Sequence, residues 1–157
     1  MNALTTILVY GVLASLLLSA FILITVLINP RLMLRSYPKD VQAAVPPPTG
    51  REKRLTLLLA VPFWLVLLGF PTAAALAAKA SNQGFLLIFL SAFGVMFLSN
   101  VVDWLIFCTL TPKFAVLPGT EGRAGYKNYA MHFRGFVIGT ALSVIVSLLI
   151  AGIIRLV

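Results

Sequence analysis

FLLIFLSAFGVMFLSNVVDWLIFCTL, residues 85–110, is an apolar run of 26 residues with a single carboxylate, Asp103, inside it. As a helix it rises about 39 Å, more than the ~30 Å hydrocarbon core of a bilayer requires. It shows none of the polar–apolar alternation that a membrane barrel strand needs, and a helix satisfies its own backbone hydrogen bonds without water. Three similar runs lie outward from it, at about residues 4–28, 55–78 and 136–157. A chain of 157 residues with 61% hydrophobic and 10% charged side chains cannot hide that apolar surface in one soluble core. The expected fold is an all-α membrane protein, one four-span domain over 1–157. Its four transmembrane helices form an antiparallel bundle, with short amphipathic cytoplasmic segments in loops one and three. The first run is read as a retained span and not as a secretory signal, because no base precedes it and it is too long.

The bases set the expected orientation. Loop one, residues 29–54, carries Arg31, Arg35, Lys39, Arg51, Lys53 and Arg54, and loop three, residues 111–134, carries Lys113, Arg123, Lys127 and Arg134. These are ten of the twelve bases in the chain, leaving Lys79 and Arg155 elsewhere. The positive-inside rule puts both loops in the cytoplasm and both termini outside a cell membrane. The net charge of +8 then reads as topology plus attraction to anionic lipid headgroups, with no nucleic acid as partner.

Within loop one, Asn29-Pro30-Arg31 stops the first helix, Asp40 is placed to cap a short helix over 40–45, and Pro46-Pro47-Pro48 favours polyproline II. Leu32, Met33, Leu34, Tyr37, Val41 and Val45 give the loop an apolar side that suits a membrane surface. Pro62 and Pro71 predict a bent second span. In loop three, Gly119, Gly122 and Gly125 resemble a weak anion cradle, better read as a flexible loop, and residues 126–133 read as a helical approach to the last span.

Small residues recur every four positions at Gly135, Gly139, Ser143, Ser147 and Ala151, at Gly11, Ser15 and Ser19, and at Gly69, Ala73 and Ala77. Such ridges let helix backbones approach closely, inside the bundle first and between copies in a homo-oligomer second.

Asp103 lies about 12 Å inside the apolar run, too deep to snorkel, and an intramembrane carboxylate is a functional position by default. Asn100 shares its face at a spacing of three. Asn29, Arg31, Asn128, His132 and Arg134 reach the same cytoplasmic half, so these seven residues form the expected ligand-binding set, with His132, Arg134 or Arg31 as partner of Asp103.

One cysteine, Cys108, and one histidine, His132, exclude an intrachain disulfide, a Cys/His zinc site and a bis-histidine haem within one chain, and no metal or cofactor is expected. No serine-hydrolase elbow or His-Glu-x-x-His motif occurs, and a Cys108–His132 thiolate pair is less expected than an inert buried cysteine. In length and span count the chain resembles small multidrug exporters and the glutathione-linked membrane enzymes, but the motifs of neither occur in it. The first expectation is a non-enzymatic binding or accessory protein with a cytoplasmic-side polar pocket for an anionic lipid or small anion. A small proton- or ion-coupled transporter or channel using Asp103 and His132 is second, and a membrane enzyme acting on a lipid third.

Overall fold

A computed structural model describes residues 2–109 and 115–156, and among these every regular element is helical. The side chains of Phe107 and Cys108, and with them the Cys108–His132 pairing, lie outside the described residues, as do Thr111 and Lys113.

Helix α1, Ala3–Ile28, starts where the Asn2 side chain accepts the Thr5 N–H at 2.8 Å and stops at the extended Asn29. A 3-10 segment follows over Pro30–Ser36, broken at Met33, and then the single turn α2, Lys39–Gln42. Asp40 does not cap that turn; Pro38 stands at its N-cap, and the carboxylate is used elsewhere. Helix α3, Gly50–Ala80, starts earlier than its apolar run because Thr49 and Glu52 form a reciprocal capping box. It continues through Pro62 and Pro71. Helix α4 is Phe85–Thr109. A second 3-10 turn, Ala124–Lys127, ends at Asn128 (φ −81°, ψ 71°), and α5, Tyr129–Leu156, begins after it. The expected continuous helix over 126–133 is therefore interrupted at Asn128.

The four long helices are each apolar enough to cross a membrane. Residue numbers climb together where α1 meets α4, with Ile7 against Gly94, Gly11 against Leu98, and Ser15 Oγ 3.4 Å from Ser99 Oγ. They run oppositely where α4 meets α5, from Trp104 on Phe133 to Met96 beside Ser147, and where α1 meets α3, from Tyr10 on Phe70 to Phe21 on Phe63. Ser143, Ser147 and Ala151 are buried on α5, as are Gly11 and Ser15 on α1. On α3 the ridge lies on a different strip: Pro71, Ala74, Ala75 and Ala78 are buried, whereas Gly69 is exposed. Steps of four residues drift about 40° per step around a 3.6-residue helix, so several alanine strips compete and spacing alone does not choose among them.

Three apolar clusters fill the interior. Ala14, Ala74 and Val95 join α1, α3 and α4. Ala75, Ala78, Ile88, Ala92, Ala151 and Ile154 close the end near the α3–α4 turn, where Lys79 Nζ also donates to the Ile154 carbonyl at 2.9 Å. The third cluster lies at the opposite end, where Ile22 and Val26 of α1 meet Leu34, Tyr37 and Val41 of loop one and Leu117 and Tyr126 of loop three. Loop one is thus amphipathic, but its buried apolar side chains pack on the protein instead of lying on a membrane surface. Outward, Leu57 is 72% and Leu65 69% exposed, part of an apolar surface that runs along all four long helices.

Candidate functional site

The two long loops are tied to each other before they shape a site. Tyr126 Oη accepts the Leu117 N–H at 2.9 Å and lies 2.6 Å from Thr120 Oγ1, which pins residues 117–126 into a compact loop. Gly119 and Gly122 sit at φ 80° and 78°, left-handed positions that make the turns, and the Gly119 N–H donates to Glu121 Oε1 at 3.1 Å. The Gly125 N–H, the third possible cradle donor, is taken by Asp40 Oδ2 at 2.9 Å, and Arg123 Nη1 donates to the Asp40 carbonyl at 3.1 Å. A Cβ at Gly125 would overlap the Asp40 carboxylate, so glycine is needed there for close approach. Loop one is held to α3 by Arg31, whose Nε donates to Glu52 Oε1 at 2.7 Å and whose Nη2 donates to the Pro46 and Pro47 carbonyls at 3.1 and 3.3 Å.

These ties bring Arg35 to Gln42 over the gap between α4 and α5, where a cavity of about 420 Å³ lies. Loop one contributes Arg35, Ser36, Tyr37, Lys39 and Gln42; α4 contributes Asn100, Asp103 and Trp104; α5 contributes Met131, His132, Gly135 and Phe136. Of the seven expected residues, Asn100, Asp103 and His132 line this one cavity and Asn29, Arg31, Asn128 and Arg134 do not. Each of these four has a reason. Asn29 caps the 3-10 segment by accepting the Arg31 N–H at 3.0 Å. Arg31 belongs to Glu52, which the capping box holds beside it, and so it is not the partner of Asp103. Asn128 accepts the Met131 N–H at 3.0 Å at the start of α5, and Arg134 is exposed away from the cavity walls.

Asn100 is bonded across the helix seam. Its Nδ2 donates to the Phe136 carbonyl at 3.0 Å and to Thr140 Oγ1 at 2.9 Å, and its Oδ1 would lie 2.7 Å from a Cβ at Gly139. Asp103 is different, since it makes no hydrogen bond or ion pair with any described residue and its Oδ1 is buried. Trp104 Nε1 and Tyr37 Oη are buried in the same condition. Each such atom costs about 1–3 kcal/mol when left dry. All three belong to residues that line the one cavity, so its walls combine apolar surface with polar groups whose hydrogen bonding is incomplete.

The aromatic wall is packed and ordered: Trp104 stands at 5.3 Å from Phe136 and 6.1 Å from Phe133, and Tyr37 meets Tyr126 edge-on at 6.1 Å. Burial and the neighbouring Tyr126 push the Tyr37 hydroxyl above its ordinary pKa, so it stays a neutral donor at physiological pH. Gln42 Nε2 donates to the Tyr37 carbonyl at 2.6 Å and to the Arg35 carbonyl at 3.3 Å, bracing the loop-one rim. Arg35 and Lys39 are exposed and line the same cavity as the half-buried Asp103 carboxylate. Among the described residues no three His, Cys, Asp or Glu side chains gather to hold a metal ion.

Sequence reasoning missed Arg35, Tyr37, Lys39 and Gln42. The available signal was a tyrosine and a glutamine within a basic, otherwise apolar segment, which fits a folded wall better than a surface strap. No protein-family model, curated protein or solved structure matches the chain.

Proposed function

We propose that the chain is an integral membrane protein whose four long helices cross the bilayer as an antiparallel bundle. In this reading it binds an anionic group, from a lipid headgroup or a small anion, in the cavity beneath loop one. The apolar outer surface and the opposed residue order at the α1–α3 and α4–α5 seams support insertion as a bundle. The single observation behind the binding reading is one cavity lined by Arg35 and Lys39 together with Asp103, whose carboxylate has no hydrogen-bond or ion-pair partner among the described residues. A cavity of this size suits a small polar group and its first carbons. Transport is supported less, because the buried polar side chains beyond Asn100 are hydroxyls, of which Ser91 and Ser143 donate to carbonyls of their own helices, and among the described residues no ionisable one is buried there.

Orientation is tested by labelling. With Cys108→Ala as background, Ser81→Cys reacts with an impermeant maleimide on intact cells and Gly50→Cys reacts only after permeabilisation. The reverse pattern would move the cavity to the external side.

Binding is tested at the rim. A base near an anionic surface contributes about 1 kcal/mol, so Arg35→Gln with Lys39→Gln lowers retention of anionic lipid on gently extracted protein about thirtyfold, read by native mass spectrometry. Arg51→Gln with Lys53→Gln, equal in charge but away from the cavity, leaves retention nearly unchanged. Equal losses from the two pairs would mean diffuse surface attraction and no pocket.

A further inference from the structure

The walls of the cavity are chemically two-sided. Arg35 and Lys39 line it as exposed bases, and Asp103 lines it as a half-buried carboxylate with no hydrogen-bond or ion-pair partner among the described residues. A simple anion at Arg35 and Lys39 would be repelled by the carboxylate. A simple cation would meet the carboxylate and be repelled by Arg35 and Lys39. We propose that the occupant is an amino-phosphate zwitterion, a primary ammonium joined to a phosphate ester by a short carbon link, with the phosphate toward Arg35 and Lys39 and the ammonium toward Asp103. This rests on the binding reading above and names its ligand class.

The order of burial fits that placement. Arg35 and Lys39 are exposed, where a phosphate meets bases without losing all its water, whereas Asp103 is half-buried, where an ammonium donor offsets the desolvation of the carboxylate. Two carbons separate the charges in such a headgroup, short enough for both to sit within about 420 Å³. The chemistry is shared by phosphatidylethanolamine and by free phosphoethanolamine.

The test uses the full chain in detergent and native mass spectrometry with three added lipids of identical acyl chains: phosphatidylethanolamine, phosphatidic acid and phosphatidylcholine. Wild type binds phosphatidylethanolamine about tenfold more tightly than either other lipid, since only it supplies both the phosphate and N–H donors. Asp103→Asn reduces that preference to within about twofold and leaves phosphatidic acid affinity unchanged or higher. Free phosphoethanolamine that displaces the lipid at comparable concentration identifies a soluble ligand; failure to displace it identifies the lipid. Phosphatidic acid or phosphatidylcholine bound as tightly as phosphatidylethanolamine by wild type overturns the zwitterion and leaves the anion pocket standing. Loss of binding sensitivity to Arg35→Gln with Lys39→Gln overturns both. The wild-type comparison needs no variant, so a poorly folding Asp103→Asn does not rescue the proposal.

Discussion

Gly139→Leu lowers the melting temperature of the detergent-solubilised chain by roughly 6–12 °C, the shift that about 3 kcal/mol produces in a domain of this length. The side chain enters the α4–α5 seam, and its first carbon alone would lie 2.7 Å from Asn100 Oδ1. Asn100 must swing away, which breaks its bonds to the Phe136 carbonyl and Thr140 Oγ1. Interhelical hydrogen bonds of this kind contribute about 0.6 kcal/mol each in measured membrane cases, and overpacking adds about 1–3 kcal/mol. The helix-propensity gain of replacing glycine, at most about 1 kcal/mol, offsets only part. Gly135→Ala is the matched control: one turn away on the same ridge, its Cβ meets nothing within 4 Å, so stability holds or rises. Melting is compared at one scan rate, because membrane proteins commonly unfold irreversibly. Equal melting temperatures for Gly139→Leu and wild type would show that the α4–α5 seam is not closed at Asn100.

What the sequence revealed depended on whether local chemistry or a distant partner decided the outcome. Four helices follow from apolar runs long enough to span a bilayer, and no tertiary contact was needed to see them. Asn100 and Asp103 were legible as a pair because a spacing of three on a helix fixes a shared face, and Ser143, Ser147 and Ala151 because one strip of α5 concentrates the small residues. Arg31 was misassigned because its partner, Glu52, lies 21 residues away and is brought near by a capping box whose consequence for loop one is not local. The placement of Asn128 relied on a helix continuing through it, whereas the 3-10 turn before it ends in a non-helical residue and its side chain caps α5 instead. Loop one was read by its amphipathic pattern, which specifies that one side is buried and not what buries it. Here the cover is Ile22, Val26, Leu117 and Tyr126, which turns a predicted membrane strap into a cavity wall.

Of the contacts that hold that wall to loop three, Gly125→Ala breaks the one between the Gly125 N–H and the Asp40 carboxylate. The added methyl overlaps the Asp40 carboxylate, so the carboxylate must leave and the Gly125 N–H loses its charged acceptor. A hydrogen bond to a charged group contributes about 1.5–3 kcal/mol, so local opening of the loops becomes on the order of a hundredfold more frequent while the apolar clusters of the four long helices stay closed. Hydrogen exchange and limited proteolysis then accelerate over residues 31–45 and 115–127 and not over α1, α4 or the body of α5. Tyr37 loses its edge contact on Tyr126, the rim bearing Arg35 and Lys39 moves, and anionic ligand retention falls with it. Asp40→Gly supplies the counter-test. Alone it removes the acceptor and loosens the loops; combined with Gly125→Ala it removes the overlap, so the double variant opens no more than the worse single variant. That non-additivity is the signature of a direct contact, because independent sites would add their effects. Additive loosening, or acceleration spread evenly over the long helices, would show that loops one and three are not clasped through Asp40 and Gly125.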